Sequence, residues 1–286
     1  MTFSPTDAAF EGFRLTRREP RMFIALALVY AVFSALLLVV TYQPLGEIMR
    51  AASQVSSGGE PDQVQVLSLM NAYGRLISIT LLPSLIVNSV VQCAIMRAVL
   101  TPVPDRYSYL RLGKTELRVV AVNLMVGLML GAIAIIGFGL AGVLIGFAVG
   151  GYPLLAIAAL PIMLAVVAAL IWVSVRLYLA VPMTVTEERI EVFGSFAATK
   201  GHFWPLLGMV LLAMLLSLAV SFLGSIVTAP LTALTGGLSV LETSAAISGP
   251  MIAALFVWIV VSAALSAAQL LILYPPMAVA WKSLKA

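Results

Sequence analysis

The chain has 286 residues, of which 62% are hydrophobic and 10% are charged, and its mean hydropathy is +1.11. A soluble globular domain carries about 25% charged residues, so the composition excludes that class and indicates an integral membrane protein. The net charge is +4. The basic residues border apolar segments, which indicates orientation signals rather than a surface for nucleic acid. The single cysteine, Cys93, falls within an apolar run and gives no redox information.

Six apolar segments are long enough to cross a bilayer. The predicted spans are 22–43, 75–100, 118–148, 152–181, 205–228 and 250–280. Uniformly apolar runs of this length favour helices, because barrel strands would alternate in polarity over about ten residues. The first span follows a polar lead without a cleavage site after it, so we expect it to remain uncleaved. The sequence therefore predicts an all-α, polytopic membrane protein with six transmembrane helices.

The lysines and arginines predict the orientation of these spans. Fourteen of them border the two termini and the second and fourth loops, whereas Arg50 and Arg75 border the other side. Because positive residues are enriched on the cytoplasmic side, both termini are expected there. On the outer side, Pro44 to Gly74 is predicted to form one or two short amphipathic surface helices, interrupted by SSGGEPDQ. The 229–249 loop is expected to lie partly in the membrane interface.

Three segments on the predicted cytoplasmic side resemble one another. They are AFEGFRLTRREPRMF from Ala9, RYSYLRLGKTELRVV from Arg106 and VFGSFAATKGHFWPL from Val192. Shifts of 97 and 183 residues align Phe10 with Tyr107 and Phe193, Phe13 with Leu110 and Phe196, and Arg17 with Lys114 and Lys200. The pattern predicts three units, about 5–100, 105–182 and 187–286, each with an amphipathic elbow helix and two spans.

Each elbow helix combines an apolar stripe with a cation one turn further on, which is typical of helices in the lipid headgroup layer. Arg17, Lys114 and Lys200 are therefore candidate headgroup contacts, although orientation alone would also require them. The third elbow contains the single histidine, His202. With no second histidine for a metal site, we interpret it as an interfacial side chain beside Trp204, the alternative being a protonation switch.

The third elbow also resembles a known family. Glu191, Gly194, Ala197, Lys200–Gly201 and Phe203–Trp204, with Gly208 following, are similar to a motif of the multi-pass membrane domain attached to some bacterial glycerophosphodiester phosphodiesterases and of that domain's free-standing relatives. The closing YPPMAVAWKSL is similar in style. The resemblance implies a six-span membrane protein of poorly defined role. It does not imply phosphodiesterase activity, since that chemistry belongs to a separate soluble domain.

The second span carries a polar stripe. Thr80, Ser84, Asn88 and Gln92 are four residues apart and share one helical face, and Pro83 is expected to kink that helix. One interpretation is hydrogen bonding between helices. The other is a polar path or a small-ligand site in the middle of the membrane.

Small residues predict where helices pack closely. The third span places Gly127 four residues before Gly131, and Gly142, Gly146 and Gly150 follow at the same spacing. This face could join two spans of one chain or two chains. In the last two spans, the serines and the pair Ala263 and Ala267 are also interpreted as packing positions.

No catalytic, metal-binding or cofactor-binding constellation is recognisable. There is no phosphate-binding loop with its lysine and no histidine–cysteine cluster. Arg97 and Arg176, near the ends of the second and fourth spans, are expected to reach the headgroups. We interpret the chain as a non-enzymatic protein of the bacterial inner membrane, a scaffold, accessory or assembly subunit. Its partners would be the lipid bilayer and other membrane proteins or itself. The alternative is a transporter or lipid-handling protein that uses the polar stripe.

Overall fold

The computed structural model of the chain describes residues 5–56, 63–101, 109–152, 154–234 and 249–285. Within these ranges the chain forms eleven helices. They are α1 (Pro5–Ala9), α2 (Glu11–Arg18), α3 (Pro20–Ser56), α4 (Gln63–Leu100), α5 (Lys114–Val149), α6 (Leu154–Leu177), α7 (Ala180–Glu187), α8 (Gly194–Ala198), α9 (Phe203–Leu234), α10 (Gly249–Leu273) and α11 (Pro275–Lys285).

Six helical segments are long and apolar enough to cross a membrane. They are Pro20–Arg50, Gln63–Leu100, Lys114–Val149, Leu154–Glu187, Phe203–Ala233 and Ile252–Lys285. No strand occurs in the described part of the chain. The predicted all-α, six-span fold is therefore confirmed, and the protein is a multi-pass membrane protein.

The predicted short helices of the first outer segment are wrong for the described residues. Helix α3 continues through Pro44 to Ser56, and α4 already begins at Gln63. Pro44 therefore does not end the helix, and residues 57–62 lie outside the described part of the chain. An ion pair of 2.6 Å between Glu47 and Arg75 joins the two helical extensions. The sequence prediction failed because a proline that costs one backbone hydrogen bond can be tolerated inside a long helix.

Two predicted spans contain a break that the sequence analysis did not place. In the fourth span, α6 ends at Leu177 and α7 begins at Ala180. In the sixth, α10 ends at Leu273 and α11 begins at Pro275, which is followed by Pro276. The second break follows from the two prolines, because neither has an N–H group and each restricts the residue before it. In contrast, α4 is continuous through Pro83.

The chain divides into two compact units. The first comprises residues 1–11, 92–213 and 274–286, in which α5 packs along α6 and α7, and α11 contacts α1 and α7. Its core includes Met96, Leu177, Leu179, Leu206 and Trp281. The second unit comprises residues 12–91 and 214–273, in which α3 packs against α10. These units are defined by contacts, so the three-unit sequence repeat stays a prediction.

Short helices lie in two of the three elbow segments. Helix α2 has Glu11 in its first turn and Arg17 and Arg18 in its last, an arrangement that favours a helix because the charges complement its dipole. Helix α8 lies in the third segment. Residues 106–108 of the second segment lie outside the described residues, residues 109–113 are not helical, and from Lys114 onward the segment belongs to α5. An elbow helix at that position is therefore not supported by its described part.

Candidate functional site

The break between α6 and α7 leaves main-chain groups that need new partners, and Ser195 of α8 supplies them. Its hydroxyl donates to the carbonyl oxygen of Arg176 at 2.6 Å and accepts from the amide of Leu179 at 3.2 Å. Ser195 is fully buried. Because unpaired main-chain groups in an apolar environment are costly, one side chain here stabilises both sides of the break.

Helix α8 reaches this position because its first residue has no side chain. A Cβ on Gly194 would lie 2.4 Å from Oε2 of Glu191 and 3.1 Å from the terminal methyl of Met183. The amide of Glu191 also donates to the hydroxyl of Thr184 at 3.2 Å. The acidic residue and the glycine of the third elbow thus belong to one close contact that fixes the start of α8.

Arg176 is the penultimate residue of α6, and its side chain extends to α8. Its Nη1 donates to the carbonyl oxygen of Phe196 at 3.3 Å and to the hydroxyl of Thr199 at 3.5 Å, both long for such bonds. Its guanidinium carbon lies 5.5 Å from the centre of the Trp172 ring, a cation–π contact. No carboxylate of the described residues lies within 4 Å of it. The half-buried guanidinium therefore keeps its positive charge uncompensated.

Arg97, at the end of the second span, is held differently. Its Nη2 lies 2.5 Å from Oε1 of Glu116, whose side chain is 4% exposed. The contact is an ion pair by distance rather than an aligned hydrogen bond. Nη1 of Arg97 also donates to the carbonyl oxygen of Tyr109 at 3.5 Å. A buried acid at the start of α5 thus binds Arg97, while its expected contact with the headgroups stays a prediction.

Sequence reasoning missed Glu116 as a partner, although a signal was present. Glu116 is the third residue of α5, after the N-cap Gly113. An acid at this position is common because it faces the free amides of the first turn. In this fold the same position also brings the carboxylate beside Arg97.

The polar stripe of the second span is largely used in structural hydrogen bonds. The hydroxyl of Thr80 donates to the carbonyl oxygen of Leu76 at 2.8 Å within its own helix. The side-chain oxygen of Asn88 accepts from the Tyr30 hydroxyl at 2.6 Å, and its amide nitrogen donates to the carbonyl oxygen of Ser84 at 2.9 Å. Asn88 thus joins α4 to α3.

Gln92, the last residue of the stripe, joins α4 to α5. Its side-chain oxygen accepts a hydrogen bond from the side-chain amide nitrogen of Asn123 at 2.9 Å. Its own side-chain nitrogen lies 3.7 Å from the sulfur of Met277. Gln92 is 5% exposed. The partners Tyr30 and Asn123 could not be found from α4, because they lie on other helices and neither belongs to a periodic polar pattern.

The glycine face of α5 has no partner helix in the described chain. A Cβ on Gly127, Gly131, Gly142 or Gly146 would meet nothing within 4 Å, and Gly150 would meet only its own preceding turn. Close packing against α6 occurs instead at Gly137, where a Cβ would lie 2.2 Å from the Val166 side chain. Packing of the five predicted glycines within one chain is therefore not observed, and packing between chains stays a prediction.

The three candidate headgroup contacts share one property. The side chains of Arg17, Lys114 and Lys200 are exposed, and none of these side chains has an ion pair or hydrogen bond within the described residues. His202 is also exposed, and its Nδ1 lies 3.2 Å from the carbonyl oxygen of Lys200. All four side chains are therefore accessible to the surroundings of the protein.

The first and third elbows share an internal hydrogen bond at equivalent positions. In α2, the hydroxyl of Thr16 donates to the carbonyl oxygen of Gly12 at 2.9 Å. A shift of 183 residues gives Thr199, whose hydroxyl donates to the carbonyl oxygen of Ser195 at 2.8 Å. Gly12 and Ser195 also both face a main-chain carbonyl near the end of a span, that of Leu271 and that of Arg176 respectively.

Comparisons with known proteins add no name to these features. No protein-family model, no curated protein and no solved structure matches the chain. Within the described residues, no group of three or more histidine, cysteine, aspartate or glutamate side chains could hold a metal ion. The resemblance of the third elbow to the phosphodiesterase-associated domain, and the absence of a cofactor, therefore stay expectations.

Proposed function

We propose that the protein is a non-enzymatic scaffold, accessory or assembly subunit of the bacterial inner membrane. The observation that carries this proposal is the use of the polar stripe. Asn88 is bound to Tyr30, and Gln92 is bound to Asn123. A transport path or a ligand site would need these amides to be available, whereas a structural role consumes them.

The distribution of basic residues supports a cytoplasmic location for both termini. Fourteen of the sixteen lysines and arginines border the side that carries the termini in a six-span chain. The accessible cations Arg17, Lys114 and Lys200 then lie where elbow helices would meet lipid headgroups. The matched Thr16 and Thr199 hydrogen bonds support the view that the first and third elbows are copies of one unit.

The open glycine face of α5 supports assembly with a further helix. A glycine with open space beside it lets another backbone approach closely, and Gly127, Gly131, Gly142 and Gly146 have such space. The partner helix would belong to another membrane protein or to a second copy of the chain. The resemblance to a membrane domain of poorly defined role agrees with a non-enzymatic function but adds no partner.

Native mass spectrometry of the protein released gently from its own membranes tests the proposal. A stoichiometric partner protein would support a scaffold or assembly role. A monomer or homo-oligomer that holds a defined small molecule or transported lipid would instead support the transporter or lipid-handling alternative. Asn88→Ala and Gln92→Ala would then be the next variants. If the polar stripe binds the molecule, both variants should retain less of it than the wild type.

Oxidative cross-linking tests the glycine face directly. Cys93 is the single native cysteine and is fully buried, so Gly127→Cys introduces one accessible thiol. Ala132→Cys is a matched control, since Ala132 is also exposed and lies about 140° around the same helix. Cross-linking at position 127 and not at position 132 would support the assembly face. Equal cross-linking at both positions would contradict it, and no cross-linking at either would exclude a second copy of the chain as the partner of this face.

A further inference from the structure

Arg176 has hydrogen-bond donors that the described chain does not use. A guanidinium carries five N–H donors. The two on Nη1 face Phe196 and Thr199, which leaves three on Nε and Nη2 without an acceptor in the described residues. The Nε donor is also shielded from solvent. A guanidinium with unused donors and no carboxylate partner favours an anionic ligand that can reach its Nη2 group.

The side chains around Arg176 suit a ligand at the membrane boundary. Trp172 is 47% exposed and stacks near the guanidinium, and Lys200, directly after Thr199, is exposed without a partner. Aromatic rings and cations together are typical of the headgroup layer. The nearby acids compete little, because Glu187 and Glu191 both pair with Arg189 at 2.9 Å.

The position of Arg176 favours a lipid over a soluble anion. The 57 residues from Val119 to Val175 contain no charged side chain, and Arg176 directly follows them on the same apolar span. One turn before it on the same helical face lies Trp172, whose exposed ring offers apolar surface. A ligand at Nη2 therefore has its charge beside Arg176 and apolar surface next to it, which matches a phosphodiester that carries acyl chains.

We propose that Arg176, Trp172 and Lys200 form a binding site for the phosphodiester of an anionic phospholipid headgroup. Nη2 of Arg176 donates to the phosphate oxygens, Lys200 adds a second positive charge, and Trp172 holds the guanidinium from its apolar side. Thr199 and the Phe196 carbonyl position the guanidinium from α8. This site is independent of whether the protein serves as a scaffold.

Lipid retention by the full-length protein tests the site. The purified protein is mixed with equal amounts of phosphatidylglycerol and phosphatidylcholine, and retained lipids are counted by native mass spectrometry. We expect the wild type to prefer phosphatidylglycerol, and Arg176→Gln to lower that preference roughly five- to tenfold. Lys282→Gln is the matched control, since Lys282 is exposed and its loss changes the net charge equally. An unchanged preference in Arg176→Gln would overturn the proposal.

Two further arms keep the result interpretable. If Arg176→Gln does not give a folded protein, Lys200→Gln replaces it, because the Lys200 side chain is exposed and has no hydrogen bond or ion pair in the described residues. A smaller loss of preference supports the site, and no loss overturns it. In the second arm, inorganic phosphate competes with phosphatidylglycerol. Little displacement supports a lipid site, whereas full displacement would show a small-anion site and overturn the lipid assignment.

Discussion

Arg97 and Arg176 stand at corresponding places, near the ends of the second and fourth spans, but their surroundings differ. Arg97 lies 2.5 Å from Glu116, an acid that is almost completely buried. Arg176 has two long hydrogen bonds and an aromatic ring, without a described carboxylate within 4 Å. The charge of Arg97 is compensated by a carboxylate inside the protein, whereas the charge of Arg176 has no such partner within the described residues.

A cation near the end of a span is thus either compensated by a carboxylate inside the fold or held by uncharged groups. Arg97 and Glu116 compensate each other, so removing either one leaves the other charge without its partner. Arg176 is held by uncharged groups, so its charge remains available to a ligand. The sequence around the two arginines does not distinguish them, because both simply follow an apolar run.

The largest expected effect comes from removing the compensated arginine. Arg97→Met should destabilise the protein by about 3–5 kcal/mol, since Glu116 would stay buried without its partner. Thermal unfolding in detergent measures the change. The double variant Arg97→Met with Glu116→Gln should recover much of the loss. A single variant as stable as the wild type would show that the ion pair does not hold the two helices together.

Ser195→Ala tests the hydrogen bonds by which α8 stabilises the break between α6, which carries Arg176, and α7. It removes the hydroxyl that serves the Arg176 carbonyl and the Leu179 amide, so both buried groups lose a partner. We expect a loss of about 2–4 kcal/mol in the free energy of unfolding. Ser225→Ala is the control, because Ser225 is exposed and bonds only within its own helix. Equal unfolding temperatures for the two variants would refute the bridging role.

Gly12→Ala extends the comparison to the first elbow, where Gly12 occupies the position equivalent to Ser195. A Cβ at Gly12 would lie 1.8 Å from the carbonyl oxygen of Leu271, so α2 must move away from the end of α10. Overpacking of this kind costs about 1–3 kcal/mol. Gly208→Ala, where a Cβ meets nothing within 4 Å, should not destabilise. The comparison would fail if both alanine variants unfolded at the same temperature.

The smallest effect is expected at His202, which lies beyond the Arg176 site in sequence. Its ring is exposed, and within the described residues its hydrogen-bond contact is the Lys200 carbonyl oxygen two residues before it. His202→Gln should therefore change the free energy of unfolding by less than about 0.5 kcal/mol. Unfolding is measured at pH 6 and pH 8. A clear pH dependence that disappears in the variant would instead support the protonation switch.

The class of this protein, its number of spans and its helical nature could all be predicted from its residues alone. A bilayer core gives backbone groups no water, so apolar runs of about 20 residues must form helices whatever surrounds them. The stripe from Thr80 to Gln92 was also readable, since four-residue spacing places side chains on one helical face. These properties depend on the local sequence and on the surrounding bilayer, so they can be predicted without knowing how the helices pack.

Which polar groups contact each other could be seen only once the helices were packed. The spacing of Asn88 and Gln92 could not name Tyr30 and Asn123, because partners on other helices are set by packing. The break after Leu177 was hidden for the same reason, since it is stable where Ser195, far along the chain, serves its free main-chain groups. The contrast between Arg97 and Arg176 likewise depends on whether a distant carboxylate reaches the guanidinium, which local sequence does not encode.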